Sequence, residues 1–182
     1  QAKSCIIVGG GRAAYYLAKR LIELGISVQI VENKKERCEE LSVLLPQAII
    51  VNGDGTSEEL LNEIGITTTE SLVPLTGIDE ENIMLTLYAK EVSNAKVVTK
   101  INRITYTGVI DQLDLGSVVY PKYITSEAII AFVRSKTATM NNNIETMNHL
   151  YDERVEAIEF VVGDQSPIVN LPLAQLKKKK NL

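Results

Sequence analysis

The feature that most constrains this chain is an alternation. Between residues 5 and 119, short runs rich in β-branched and apolar residues alternate with stretches whose apolar residues recur at helical spacing. Neither kind of segment buries its apolar surface alone. They close into one core when successive strands lie parallel in a sheet and the intervening helices cover both faces. Strands are expected at 5–8, 28–31, 48–51, 72–75, 96–101 and 118–119. The first helix carries Ala14, Leu17, Ala18 and Leu21 on one face and ends at Gly25, and the second carries Cys38, Leu41 and Leu45 and stops at Pro46. A short third helix holds Leu60, Leu61 and Ile64, with Thr56 and Glu59 as its capping box and Gly65 behind it. Asp79 is expected to cap a fourth, containing Ile83 and Leu87, and a shorter helix is expected near 109–113. Six such strands suit an α/β, doubly wound parallel sheet.

The character changes after Pro121. Residues 126–134 are apolar on one side through Ala128, Ile129, Phe132 and Val133, which extends the first domain over 1–137 with a peripheral crossover helix at 124–137. Residues 138–153 read as a linker, or as a weak helix over 141–153. The alternation at 155–162 then reads as a strand in an incomplete α+β unit over 154–182, which also holds Pro167, Pro172 and the lysine run 177–180. Because the chain opens directly on a strand and this last unit is too small for a core, a piece of a longer polypeptide is expected. No internal repeat is evident.

Charge and cysteine content narrow the partners. With 19 Lys and Arg against 23 Asp and Glu, the net charge is −4, so no cationic excess is available to neutralise a nucleic-acid backbone. No apolar run approaches the ~20 residues needed to insert into and cross a bilayer. Cys5 and Cys38 show no metal-type spacing and read as reduced thiols in or near the core, which suits a cytoplasmic setting.

Candidate chemistry begins where the first strand breaks into glycine. Gly9, Gly11 and Ala14 match G-x-G-x-x-[G/A] between a strand and a helix, as a dinucleotide fingerprint requires. Gly9 permits the sharp turn, Gly11 leaves room for a pyrophosphate to approach the backbone, and Ala14 lets helix and strand pack closely. Gly10, Arg12 and Ala13 complete the loop and the helix N-terminus, whose free N–H groups favour phosphate. The alternative is a glycine turn with no ligand. Glu32 lies at the end of strand two, about 20 residues beyond the glycines, where a carboxylate accepts from ribose hydroxyls and repels a 2′-phosphate. Asn33, Lys34 and Lys35 follow it and blunt that repulsion. Gly53 and Asp54 fall at the end of strand three, where Asp54 either faces the adenosine or caps the next helix. Thr76 and Gly77 end strand four. Lys100 and Arg103 flank the end of strand five, where a cation can meet phosphate or remain a solvated surface charge.

The ordered set GGGRAA, VEN, VNGDGT, LTGIDEENI, KIN and VVYPKYI resembles the RCK or KTN domain family, and most closely the regulatory subunits of Trk-type bacterial potassium uptake systems. The likeness covers about residues 4 to 135 and continues more faintly through VEAIEFVVG, similar to the start of the family's C-terminal ligand-sensing domain. GDGT followed by LTG-x-DEEN is its specific part. The resemblance implies a Rossmann-like fold in which the glycine loop, Glu32, the Gly53–Asp54 pair and the Thr76–Gly77 pair surround NAD(H), or else ATP or ADP. It further implies a homo-oligomer, a dimer or a tetrameric ring assembled through the 126–134 helix, acting at the inner face of the membrane on the membrane subunit of a potassium transporter; the alternative for that helix is packing only on its own sheet. Two positions depart from the family pattern. Lys100 stands where Arg is common, and Lys122 follows Pro121 where Glu is common.

Little points to catalysis. The single histidine, His149, falls in the polar stretch after the first domain, no Ser/His/Asp set or metal spacing is present, and Lys100 and Tyr106 lack the Tyr-x-x-x-Lys spacing. A non-catalytic nucleotide sensor is therefore expected. The alternative is the cofactor-binding half of an NAD-dependent oxidoreductase.

Overall fold

The computed structural model describes residues 2–103, 105, 107–137, 143–150, 155–163, 169 and 172. The chain divides into two compact units, Gln1–Pro121 and Lys122–Leu182.

In the first unit, β1 (Ser4–Val8), β2 (Ser27–Glu32), β3 (Ile49–Asn52), β4 (Ser71–Pro74), β5 (Lys96–Lys100) and β6 (Ser117–Val119) form one parallel sheet in the order β3-β2-β1-β4-β5-β6. This is the Rossmann-like, doubly wound order, with its switch point between β1 and β4. The helices are α1 (Arg12–Glu23), α2 (Lys35–Leu44), α3 (Glu58–Glu63), α4 (Asp79–Val92) and α5 (Thr107–Ile110).

The period-2 alternation of β1 shows why the sheet needs covering on both sides. Cys5 and Ile7 join Ala14 and Ala18 of α1 and Leu41 of α2 in one core. Ile6 and Val8 join Leu61 of α3 and Leu85 and Ala89 of α4 in a second. A third, around Ile101, Ile110 and Leu115, closes the β5–β6 end. Behind α1, Gly25 takes φ +77, the left-handed conformation that ends a helix without steric cost.

Two helix starts differ from their sequence signals. Ser57, not Thr56, caps α3, its Oγ accepting from Leu60 N at 3.3 Å, because Thr56 is drawn into a turn with Asp54. Ile78 occupies the cap position of α4, which leaves Asp79 in the first turn with its carboxylate engaged elsewhere.

The second unit contains α6 (Pro121–Thr137), β7 (Asn143–Leu150) and β8 (Val155–Val161). Pro121 suits the first turn of a helix, where its missing N–H would have no partner, and α6 starts there rather than at 124. The sequence groups the 124–137 helix with the first domain, whereas the compact units divide at Pro121. A correction falls on the 138–153 stretch read as linker or weak helix: residues 143–150 are a strand, paired antiparallel with β8. The apolar residues Ile144, Met147 and Leu150 recur every three positions, which hides the strand, and the pairing register shifts between Ile144 and Thr146. His149 lies in β7. Tyr106, Pro167 and the lysine run 177–180 lie outside the described residues.

Candidate functional site

Open α/β sheets bind ligands outside the carboxyl ends of their strands, at the switch point. A cavity of about 780 Å³ lies there, lined by the residues that follow β1, β2, β3 and β4 and by Lys100 of β5.

The glycine loop forms its floor, and each glycine meets a different constraint. Gly9 turns the chain at φ +102, donates from its N–H to Val31 O at 2.8 Å, and leaves no room for a Cβ, which would lie 3.0 Å from the Leu75 carbonyl. At Gly10 an added Cβ would meet Leu41 Cδ1 at 2.7 Å and Glu32 Oε2 at 2.9 Å. Gly11 is the opposite case: it caps α1 at φ −67 and has nothing within 4 Å of an added Cβ. Open space therefore stands directly before a helix whose first N–H groups have no intrahelical acceptor. Arg12 and Ala13 are exposed on that first turn and stand outside the cavity lining.

Glu32 is the hinge of the next wall. Its Oε2 accepts from Gly10 N and its Oε1 from Lys34 N, both at 2.8 Å. Each carboxylate oxygen retains capacity for a further donor, so ribose hydroxyls can join these bonds without displacing them. Asn33 lines the cavity beside it, and Asn52 Nδ2 fastens the turn by donating to Glu32 O at 3.0 Å and Asn33 O at 3.2 Å. Burial raises the Cys38 thiol above its usual value; Asn52 opposes this and the charges of Glu32, Glu36 and Glu39 add to it. The protonated thiol donates to Glu32 O at 3.3 Å.

At the end of β3, Asp54 lines the cavity and does not cap α3, a position that Ser57 holds. The Asp54 Oδ1 accepts from Thr56 N at 2.9 Å and Thr56 Oγ1 at 2.7 Å, which shapes the turn before α3. Those two bonds, the amide first, hold its carboxyl below the usual range. Gly53 lies close to Leu60, and a Cβ on Gly55 would run into Val8 Cγ1.

Thr76 and Gly77 line the cavity after β4. Thr76 is held by Asn82, a fully buried residue on α4 whose Oδ1 accepts from Thr76 N at 3.0 Å and Thr76 Oγ1 at 2.9 Å. The Asn82 amide donates in turn to Lys100 O at 3.0 Å, so a single side chain joins the ends of β4 and β5. Lys100 itself is half-buried and donates from Nζ to Leu75 O at 3.2 Å. Burial pushes its ammonium pKa down, against the opposing charge of Asp79.

Asp79 accepts from Asn102 N and Nδ2, both at 2.9 Å, and from Arg103 N at 2.8 Å. Burial pushes its carboxyl up, yet the three bonds and the Arg103 charge outweigh this and hold it below the usual range. Arg103 is turned to Glu80, donating to both of its oxygens at 2.9 Å, and does not line the cavity.

Of the residues anticipated from sequence, ten line this one cavity: Gly9, Gly10, Gly11, Glu32, Asn33, Gly53, Asp54, Thr76, Gly77 and Lys100. Sequence reasoning missed the roles of Asn82 and Arg37, the latter of which donates from Nε to Gly10 O at 2.7 Å. The DEEN run quoted for the resemblance contains Asn82, although nothing local to it announces a contact with Thr76. No group of three or more metal-ligating side chains, and no helix long and apolar enough to cross a membrane, occurs among the described residues.

The profile of the TrkA-N domain matches residues 5–121, the whole parallel sheet and its cavity. The chain belongs to the TrkA-N domain family. Among curated relatives, a Trk system potassium uptake protein from Methanosarcina mazei is 31% identical over 176 residues, or 96% of this chain and 42% of its own length. The chain thus spans about two fifths of such relatives. The TrkA-N domain of the inner membrane protein ybaL from Escherichia coli superposes with TM-score 0.65 at 16% identity, covering 73% of this chain and 98% of that one. A GsuK channel bound to NAD superposes with TM-score 0.62 at 14% identity, covering 84% and 26%. At those identities the likeness is one of fold, and both share the Rossmann-like sheet of this TrkA-N domain.

Proposed function

We propose that this TrkA-N domain is the nucleotide-sensing part of a cytoplasmic subunit that regulates a potassium transporter. One observation carries the nucleotide reading: Gly11 opens onto empty space at the start of α1, while Glu32, fixed on the same loop, presents a carboxylate across the adjacent strand end. Phosphates and ribose hydroxyls need those two groups side by side.

In this reading the N–H groups of Gly11, Arg12 and Ala13 hold a pyrophosphate, with Lys100 as the cation on the facing strand. Glu32 and Asn33 take an adenosine ribose beside Gly53 and Asp54, and Thr76 and Gly77 complete the enclosure. NAD(H) is the first ligand, supported by the carboxylate at position 32 and by the NAD named for the GsuK channel; ATP and ADP share the adenosine and phosphate chemistry. The names of the Methanosarcina relatives support a transporter membrane subunit as partner, reached at the inner membrane face by a dimer or tetrameric ring of this chain. Binding regulates the partner only if one conformation binds the nucleotide more tightly. A tenfold preference contributes ~1.4 kcal/mol per site.

Titration calorimetry of the chain against NAD, NADH, ATP and ADP tests the reading. Saturable one-site binding of at least one, with the nucleotide recovered unchanged, supports it; no heat from any of the four overturns it.

A further inference from the structure

The glycine loop is gripped from one side by a residue that the nucleotide reading leaves without a role. Arg37, on the first turn of α2, is only 23% exposed in its side chain and donates from Nε to Gly10 O at 2.7 Å. Its far end is fixed as well, Nη1 lying 2.6 Å from Glu40 Oε2 one turn along the helix. Glu32 holds the other polar group of the same residue, accepting from Gly10 N at 2.8 Å.

These two bonds act on different peptide units. The N–H of Gly10 belongs to the 9–10 peptide, whereas its carbonyl belongs to the 10–11 peptide, which also contains the Gly11 N–H. In a planar trans peptide the C=O and N–H point in opposite directions, so whatever holds the Gly10 carbonyl also aims the Gly11 N–H. In a run of three glycines the backbone has unusual freedom, and rotation of that peptide would exchange a donor for an acceptor at the phosphate position.

We propose that Arg37 is a positioning residue of the phosphate cradle: its Nε, by holding Gly10 O, aims the Gly11 N–H for a pyrophosphate-bearing nucleotide. The proposal rests on the nucleotide reading above, and it assigns Arg37 a hydrogen bond to backbone rather than an ionic contact with the ligand. That distinction is testable because glutamine carries an amide nitrogen at the same number of bonds from Cα as arginine Nε, without the charge.

The experiment compares wild type, Arg37→Gln and Arg37→Met by calorimetry with adenosine, ADP and NADH, each protein being checked for folding by circular dichroism. Arg37→Met is expected to bind ADP and NADH about tenfold more weakly, the equivalent of one lost hydrogen bond, with adenosine unchanged. Arg37→Gln is expected to bind all three as wild type does. Equal loss in the Gln and Met variants would overturn the proposal in favour of a charge contact, and an adenosine loss matching that of ADP would overturn it in favour of general support of the fold. If Arg37→Met does not fold, Arg37→Gln decides alone, since a tenfold loss of ADP affinity there overturns the proposal and wild-type affinity upholds it. Absence of binding by wild type itself is a separate result, and it removes the nucleotide reading rather than the role of Arg37 within it.

Discussion

Asn82 and Thr76 form a buried clasp: one amide oxygen on α4 receives both the backbone N–H and the hydroxyl of the residue that ends β4. The same amide reaches across to Lys100 O, so three polar groups depend on a side chain with no solvent exposure. Asn82→Ala would take a partner from Thr76 N and from Lys100 O, both partly buried, and is expected to lower unfolding stability by about 2 kcal/mol, since an unsatisfied buried group costs roughly 1–3 kcal/mol and solvent reaches these two in part. Urea denaturation followed by circular dichroism checks this, and a loss under about 1 kcal/mol would mean that water replaces the clasp.

Gly9 and Gly11 should respond in opposite ways. Gly9→Ala places a Cβ at φ +102 against the Leu75 carbonyl and is expected to destabilise the fold by roughly 1–3 kcal/mol. Gly11→Val meets open space at an ordinary φ of −67, so the fold should survive with a thermal midpoint lowered only as far as a poorer N-cap requires, while NADH titration heats disappear. A folded Gly11→Val variant with wild-type NADH affinity would place the phosphates elsewhere.

Removing the Glu32 carboxylate takes acceptors from Gly10 N, from Lys34 N and from any ribose bound beside them. Glu32→Ala is expected to weaken NADH by about tenfold or more, as loss of hydrogen bonds to a charged group contributes roughly 1.5–3 kcal/mol. Calorimetry with adenosine should show a loss of similar size, because the missing contact lies at the ribose. Wild-type affinity for adenosine would detach Glu32 from the ligand.

The pairing of Asp79 with the 102–103 segment sets an acid limit. Its folded carboxyl pKa is lowered, so the folded state holds this proton less tightly than the unfolded chain does. The resulting stability is fully present above the ordinary aspartate value of ~3.9 and is lost as pH falls from there through the lower folded value. The stability gap between wild type and Asp79→Asn is therefore expected to be constant near neutrality and to shrink below about pH 4. A gap that stays constant on acidification would mean that Asp79 contributes as a neutral hydrogen-bonding group.

The parts of this molecule that could be read from sequence are those whose signal is local. Gly9, Gly11 and Glu32 are legible because the strand–glycine–helix step and the following strand place them by spacing alone, and the alternation of β1 already states that both sheet faces are covered. Asn82 and Arg37 are not legible, since each acts on a residue brought near by the sheet and not by the chain: Asn82 on Lys100, Arg37 on Gly10. The cap of α3 moved by one residue because Asp54 competes for Thr56, an interaction that a capping template does not contain. In β7 the three-residue apolar spacing does not announce a strand, which exists through its pairing with β8.

The Val8 side chain, buried to 1% exposure, separates the strand that carries the glycine loop from the Gly55 turn, where even a methyl group would collide with it. Residue 8 thus sets how near the Gly55 turn can lie to β1. Exchanging it for isoleucine would press on the Gly55 turn, and alanine would leave a void beneath it, so the packing of residue 8 fixes where that part of the cavity lining stands.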